Sequence, residues 1–164
     1  MRNLKLTLKA WPVIAFATIG LCFLTDTAAK LCGIKLPPQP SLEAMLNSKG
    51  WTLFTNLSLV LVAAPVLEEL IFRGLIYRLP RWLLPKADVF WAVLSSVLFT
   101  SAHYIQMPFP DNAFVALMLF GLAQCWLYRQ AGGWRGIWCP MLNHLLFNAT
   151  NLVLLLIFPE ASQA

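Results

Sequence analysis

Charge is scarce in this chain. Charged residues make up 12% of its 164 positions, against roughly a quarter in an ordinary soluble domain. Hydrophobic residues reach 59%, and the mean hydropathy is +0.69. A domain with so few polar side chains cannot clothe an exterior in water, which excludes an ordinary soluble fold and leaves lipid as the main solvent. The length allows one domain, so residues 1–164 are expected to form a single membrane domain. Internal repeats and low-complexity tracts are absent, and so is any paired cysteine spacing that would hold a metal. Cys22, Cys125 and Cys139 fall in apolar stretches, where a thiol behaves as a small hydrophobe. Cys32 lies near a helix end, where a disulfide is open but unsupported.

What is present is a series of five apolar segments, roughly 10–33, 51–78, 88–107, 112–130 and 136–158. Each is near the ~20 residues that span hydrocarbon as a helix. None shows the alternation of a membrane strand, and lipid forces backbone groups to pair within their own segment. The expected fold class is all-α, a polytopic transmembrane bundle of about five spanning helices around a polar intramembrane cavity. The net charge of +5 does not mark a nucleic-acid surface, because the basic residues sit at alternate connections. Arg2, Lys5 and Lys9 precede the first segment; Arg78, Arg81 and Lys86 follow the second; Arg129 and Arg135 separate the fourth from the fifth. Lys30, Lys35 and Lys49, with Asp26, Glu43, Asp111 and Glu160, then fall on the other side. The positive-inside rule places the amino terminus in the cytoplasm.

The first segment also has the basic start and apolar core of a signal peptide. No A-x-A site follows the core, so a retained helix is expected. Pro37, Pro38 and Pro40 extend the first connection, and Ser41 is positioned to cap a short surface helix through Met45. The stretch 78–88 mixes Trp82, Leu83 and Leu84 with basic residues, as suits the headgroup layer. Trp51, Trp91 and Trp134 lie near expected helix ends as interfacial anchors.

The few polar residues inside these segments carry the argument. "LVAAPVLEELIFRGLIY" (residues 61–77) buries Glu68, Glu69 and Arg73 among residues suited to lipid. Successive helical positions are ~100° apart, so the two carboxylates face different ways. Glu69 and Arg73, at i and i+4, form a natural ion pair. Glu68 has no charged partner in its own helix, and one central charge costs about 2.5–3.5 kcal/mol on insertion scales. Pro65 removes a backbone hydrogen bond and clashes with the carbonyl of Leu61, which is expected to open a small polar gap.

The chain's two histidines both lie in apolar segments. His103 has Phe99 one turn before it; His144 has Asn148 one turn after it, and Asn151 continues that stripe. Either histidine alone reads equally as a hydrogen-bonded contact between helices. Together with Glu68, they would surround one cavity with a carboxylate, two imidazoles and an amide. Depth gives a partial check at ~1.5 Å per residue: Glu68 and His144 come out ~15 and ~14 Å below their basic flanks. His103 comes out ~22 Å from Asp88, which is too deep unless the third helix starts later or tilts.

Such a set suits water-mediated hydrolysis. A carboxylate beside a histidine can strip a proton from water, while imidazole and amide N–H groups stabilise the oxyanion. Ser95, Ser96 and Ser101 read as helix-packing residues rather than nucleophiles.

Three motifs in order, Glu68-Glu69-Leu-Ile-Phe-Arg73, Phe99-Thr-Ser-Ala-His103 and His144-Leu-Leu-Phe-Asn148, resemble those of the CPBP family of intramembrane proteases. That family includes the type II CAAX prenyl endopeptidases and bacteriocin-processing or immunity proteins. The resemblance covers about residues 60–155. It implies that Glu68 with His103 activates the water and that His144 and Asn148 form the oxyanion hole. Glu69 and Arg73 would brace the site or orient substrate, and Phe99 would pack beside the cavity. The implied substrate is a membrane-associated peptide or protein cut near its terminus, and the implied setting is a bacterial inner membrane. The family usually has six to eight spans, so this shorter chain leaves a more open cavity, a partner or oligomer, or an inactive relative as alternatives. No cofactor is expected. A metal held by Glu68, His103 and His144 ranks second, since the motif is not H-E-x-x-H and asparagine is a poor zinc ligand. A non-catalytic peptide-binding or immunity protein and a proton-coupled transporter are the remaining alternatives.

Overall fold

The computed structural model describes residues 2–34, 47–105 and 113–157. Over these residues the chain is helical throughout, with no strand. Helix α1 is Arg2–Leu31, α2 is a continuous helical run over 50–83, and α3 is Asp88–His103. Helix α4 is Phe114–Ala131 and α5 is Trp138–Ile157. The expected all-α bundle is therefore present. The surface helix expected after Ser41 lies outside the described residues.

Each helix buries the face that its small and apolar residues define. In α1, Thr7, Ala10, Ile14, Ala15 and Thr18 are buried, a helical stripe that packs against α4 and α5. Trp11 Nε1 donates to Thr150 Oγ1 across that contact at 3.3 Å. In α3, Ser95, Ser96, Phe99 and Thr100 face α2 and α4. A Cβ on Gly121 of α4 would lie 2.9 Å from Ser96 Cβ, so only glycine lets α3 and α4 approach this closely. Gly132 and Gly133, at φ 70° and 61°, end α4 in a left-handed turn that a side chain would strain.

Helix α2 departs from regular α geometry twice, at Leu59–Ala63 and Leu70–Arg78, where its turns widen to i→i+5 bonding. Proline explains the first. Ala64 N–H bonds to Leu59 O, and the next donor in that series belongs to residue 65. Pro65 has no N–H, which leaves the carbonyl of Val60 without its successor, and Asn148 Nδ2 of α5 donates to it at 2.8 Å. The expected kink is thus a widened turn pinned from a neighbouring helix.

Two stretches, Arg2–Leu31 and Trp134–Ile157, are long and apolar enough to cross a membrane, with mean hydropathies of 1.7 and 1.4. Of the other segments expected to span, α2 contains polar residues of the site, α3 is only 16 residues long, and α4 ends in polar residues around Arg129. Their outward faces nevertheless carry exposed Leu67, Ile71, Leu75, Val89, Phe90, Leu98, Leu119 and Trp126. An apolar belt of this extent belongs in lipid.

One end of the bundle gathers the basic residues. Arg81 Nε lies 2.5 Å and Tyr77 Oη 2.8 Å from Asp88 Oδ1, while Arg129 Nη1 lies 2.6 Å from Asp88 Oδ2. Arg78 stacks over Trp134, with its guanidinium carbon 4.4 Å from a ring centroid. Cys139 Sγ lies 3.6 Å from Asn3 O, which brings the start of α1 to the start of α5. Trp51, Trp82 and Trp134 are well exposed, whereas Trp91 is half-buried.

Candidate active site

The site is built on the second half of α2. Glu69 and Arg73 lie one turn apart and are both fully buried, with Nη1 3.2 Å from Oε1. The i,i+4 pair read from the sequence is present, and it reaches further than its own helix. Arg73 Nη2 donates to Gly121 O of α4 at 3.2 Å. The guanidinium carbon also sits 4.5 Å from the Phe99 ring centroid of α3, a cation–π contact. One arginine therefore ties α2 to both α3 and α4.

Glu69 does the same towards α5. Its Oε1 accepts from His144 Nδ1 at 3.0 Å, a contact that sequence spacing gave no sign of. In the neutral ring this bond fixes the tautomer: Nδ1 carries the proton and Nε2 the lone pair. Phe120 and Phe99 pack around the same imidazole, with ring centroids at 5.0 and 5.9 Å. His144 is thus held by a carboxylate on one side and by aromatic rings around it.

Glu68 approaches the other nitrogen. Its Oε2 lies 3.8 Å from His144 Nε2, and its side chain is 27% exposed where that of Glu69 is wholly buried. The distance is too long for a direct hydrogen bond and suits one bridging water. Glu68 Oε2 has no direct hydrogen bond to protein. The two carboxylates, adjacent in sequence, therefore flank the two nitrogens of a single ring.

His103 joins through Phe99. Its Nδ1–H donates to Phe99 O at 2.9 Å, and its ring lies 4.6 Å from the Phe99 ring, centroid to centroid. Nε2 is left for other chemistry. The register of α2 against α3 fixes its height. Tyr77 meets Asp88, Phe72 O accepts from Ser95 Oγ, and the Phe72 and Phe99 rings pack edge to face. Continuing the Phe72–Ser95 register by one turn brings Glu68 level with Phe99, one turn short of His103, and His103 makes no direct ion-pair contact with Glu68. Helix α3 does begin at Asp88, so the count that set His103 deeper than Glu68 is unchanged, while α2 runs on to residue 83 rather than ending at Arg78.

Glu68, Glu69, Arg73, Phe99 and His144 accordingly form one connected group, which His103 reaches through Phe99. Asn148 sits one turn beyond His144 with one amide N–H committed to Val60 O. Among the described residues no three His, Cys, Asp or Glu side chains converge as metal ligands. Phe120 and Gly121 belong to the site as well. The sequence offered no motif for them, because one contributes a ring edge and the other a carbonyl.

Comparison with known proteins follows the same residues. A family model described as type II CAAX prenyl endopeptidase Rce1-like matches residues 50–150, which begin with α2, end within α5 and contain the whole site. No curated protein and no solved structure matches the chain. The matched stretch is most of the chain, and the protein belongs to the Rce1-like family of type II CAAX prenyl endopeptidases, a helical membrane family of proteases.

Proposed function

We propose that the protein is an intramembrane endopeptidase of the glutamate type, which cuts a peptide bond near the terminus of a membrane-associated protein or peptide. The observation that carries this reading is the approach of Glu68 Oε2 to His144 Nε2 at 3.8 Å, with His144 already held by Glu69. A water between them is shared by two acceptors. Glu68, assisted by His103 of α3, takes its proton, and the hydroxide attacks the scissile carbonyl. Asn148 keeps a second amide N–H beyond the one given to Val60, and that hydrogen serves the oxyanion. His144 adds a donor at Nε2 whenever the ring is doubly protonated, its charge balanced by Glu69. Glu68 then passes the proton to the leaving amine. Arg73 and Glu69 brace the arrangement, and no cofactor or metal is called on. The purified protein is accordingly expected to keep its activity in chelator.

The basic end of the bundle supports a multi-pass protein with its amino terminus on the cytoplasmic side, and we place it in a bacterial inner membrane. The deciding experiment compares terminal peptides of membrane proteins from cells carrying wild type or Glu68→Gln. A terminal fragment present only with the wild type identifies both activity and substrate. If Glu68→Gln keeps the full biological effect, the protein is a peptide binder on a protease scaffold.

A further inference from the structure

A second feature lies on the outer face of α2, away from the histidines. The widened turn Leu70–Arg78 leaves a groove of about 450 Å³ between α2 and the turn before α5. Leu70, Leu75 and Leu79 line its length. Gly74 forms its floor, where an added Cβ would touch the Trp134 ring at 3.6 Å. Arg78, Trp82 and Trp134 complete its lining, with Arg78 stacked on Trp134. From Leu70 to Trp82 the helix rises roughly 18 Å at ~1.5 Å per residue, close to the ~15 Å of one leaflet's hydrocarbon.

Arg78 differs from the other arginines packed against α2. Arg73 is paired with Glu69, and Arg81 and Arg129 share Asp88. Among the described residues Arg78 has no carboxylate partner, and no carboxylate lines the groove. Its guanidinium lies over the Trp134 ring. Stacking engages the face of a guanidinium and leaves its in-plane N–H groups aimed outward, which suits the fork geometry of phosphate recognition. An apolar channel one leaflet long, with two tryptophans and one uncompensated cation at the headgroup level, has the polarity of a single lipid molecule.

We infer that this groove is a binding site for an anionic phospholipid, with the phosphate on Arg78 and an acyl chain along Leu79, Leu75 and Leu70. The test is native mass spectrometry of the full chain in uncharged detergent, with phosphatidylglycerol and phosphatidylcholine of identical chains. Wild type should retain phosphatidylglycerol over phosphatidylcholine. Arg78→Gln should weaken phosphatidylglycerol by about fivefold, the effect of one basic residue at the membrane surface, and phosphatidylcholine, whose choline offsets its phosphate, by less. Arg78→Lys should restore most of the preference, and Gly74→Leu should expel both lipids. Thermal melting of each variant checks that the fold is kept. Lys86→Gln, in the exposed turn Pro85–Ala87 outside the groove, should change nothing. Equal losses for Arg78→Gln and Lys86→Gln would mean diffuse surface charge and overturn the site. Equal retention of the two lipids, displacement by glycerol 3-phosphate alone, or lipid retention by Gly74→Leu would overturn it too.

Discussion

The two sides of His144 are built from the same residue type and behave as opposites. On the Nδ1 side, Glu69 is fully buried and its Oε1 serves both the imidazole and Arg73, whose guanidinium continues to α3 and α4. On the Nε2 side, Glu68 is the more open carboxylate, and its Oε2 stands 3.8 Å away with no hydrogen bond to protein. A buried charge in several contacts is a structural commitment, because removing one partner strands the others. A carboxylate that keeps its lone pairs is available to a reactant. A rotation of ~100° between successive residues thus separates the role of holding the site from the role of using it.

Glu68→Gln is the sharpest way to break that contrast. Losing a general base costs about 10²–10⁴-fold in rate, and cleavage of the membrane substrate should fall by that much. Thermal unfolding in detergent should stay near wild type, since the oxygen facing His144 has no hydrogen bond to protein to lose. A melting temperature lowered as far as that of Glu69→Gln would mean that both carboxylates are structural.

On the sealed side the expected effect is on stability. Arg73→Met leaves Glu69 buried without its cation, at a cost of about 3–5 kcal/mol. Adding Glu69→Leu removes the stranded charge, and the double variant should recover part of that loss. A double variant less stable than either single one would show that the pair is held by something other than mutual compensation.

The sequence carried part of this contrast. Spacing made Glu69–Arg73 legible, since i,i+4 residues share a face whatever surrounds the helix. It also showed that Glu68 points elsewhere. It did not show that Glu69 turns to His144, because contacts between helices depend on their rotation and register, which no local pattern encodes. The depth mismatch of His103 stands, because α3 does begin at Asp88; what the sequence misplaced is the end of α2. A chain rich in Leu, Trp and Arg continues as helix as readily as it stops, and α2 ran on to residue 83. The widened turns of α2 were legible only as a proline. Their completion by Asn148 needed a third dimension.

That completion gives a smaller, specific prediction. Asn148→Leu leaves Val60 O without the side-chain donor it now has. The expected cost is about 1–3 kcal/mol, as for a buried acceptor left unpaired. Pro65→Ala restores a backbone N–H to the widened turn, so in that background Asn148→Leu should cost less. The coupling between the two positions should reach at least ~0.5 kcal/mol in a double-mutant cycle. Additive effects would separate the amide from the proline and return Asn148 to a purely catalytic reading.

The smallest effect is expected at the basic end, where Asp88 offers a third carboxylate with several partners. It has three partners where Glu69 has two: Tyr77 and Arg81 on one oxygen, Arg129 on the other. Its surroundings differ as well, because the Arg129 side chain is 56% exposed. Water already solvates that guanidinium, so the ion pair replaces one good environment with another and contributes little. Arg129→Ala should therefore cost below ~1 kcal/mol in thermal unfolding, and added salt should shrink even that. The same salt should leave the penalty of Arg73→Met unchanged, since ions do not reach a fully buried pair. If the two arginines respond alike to salt, exposure is not what divides the carboxylates of this protein, and the assignment of Glu69 to structure and Glu68 to chemistry loses its physical basis.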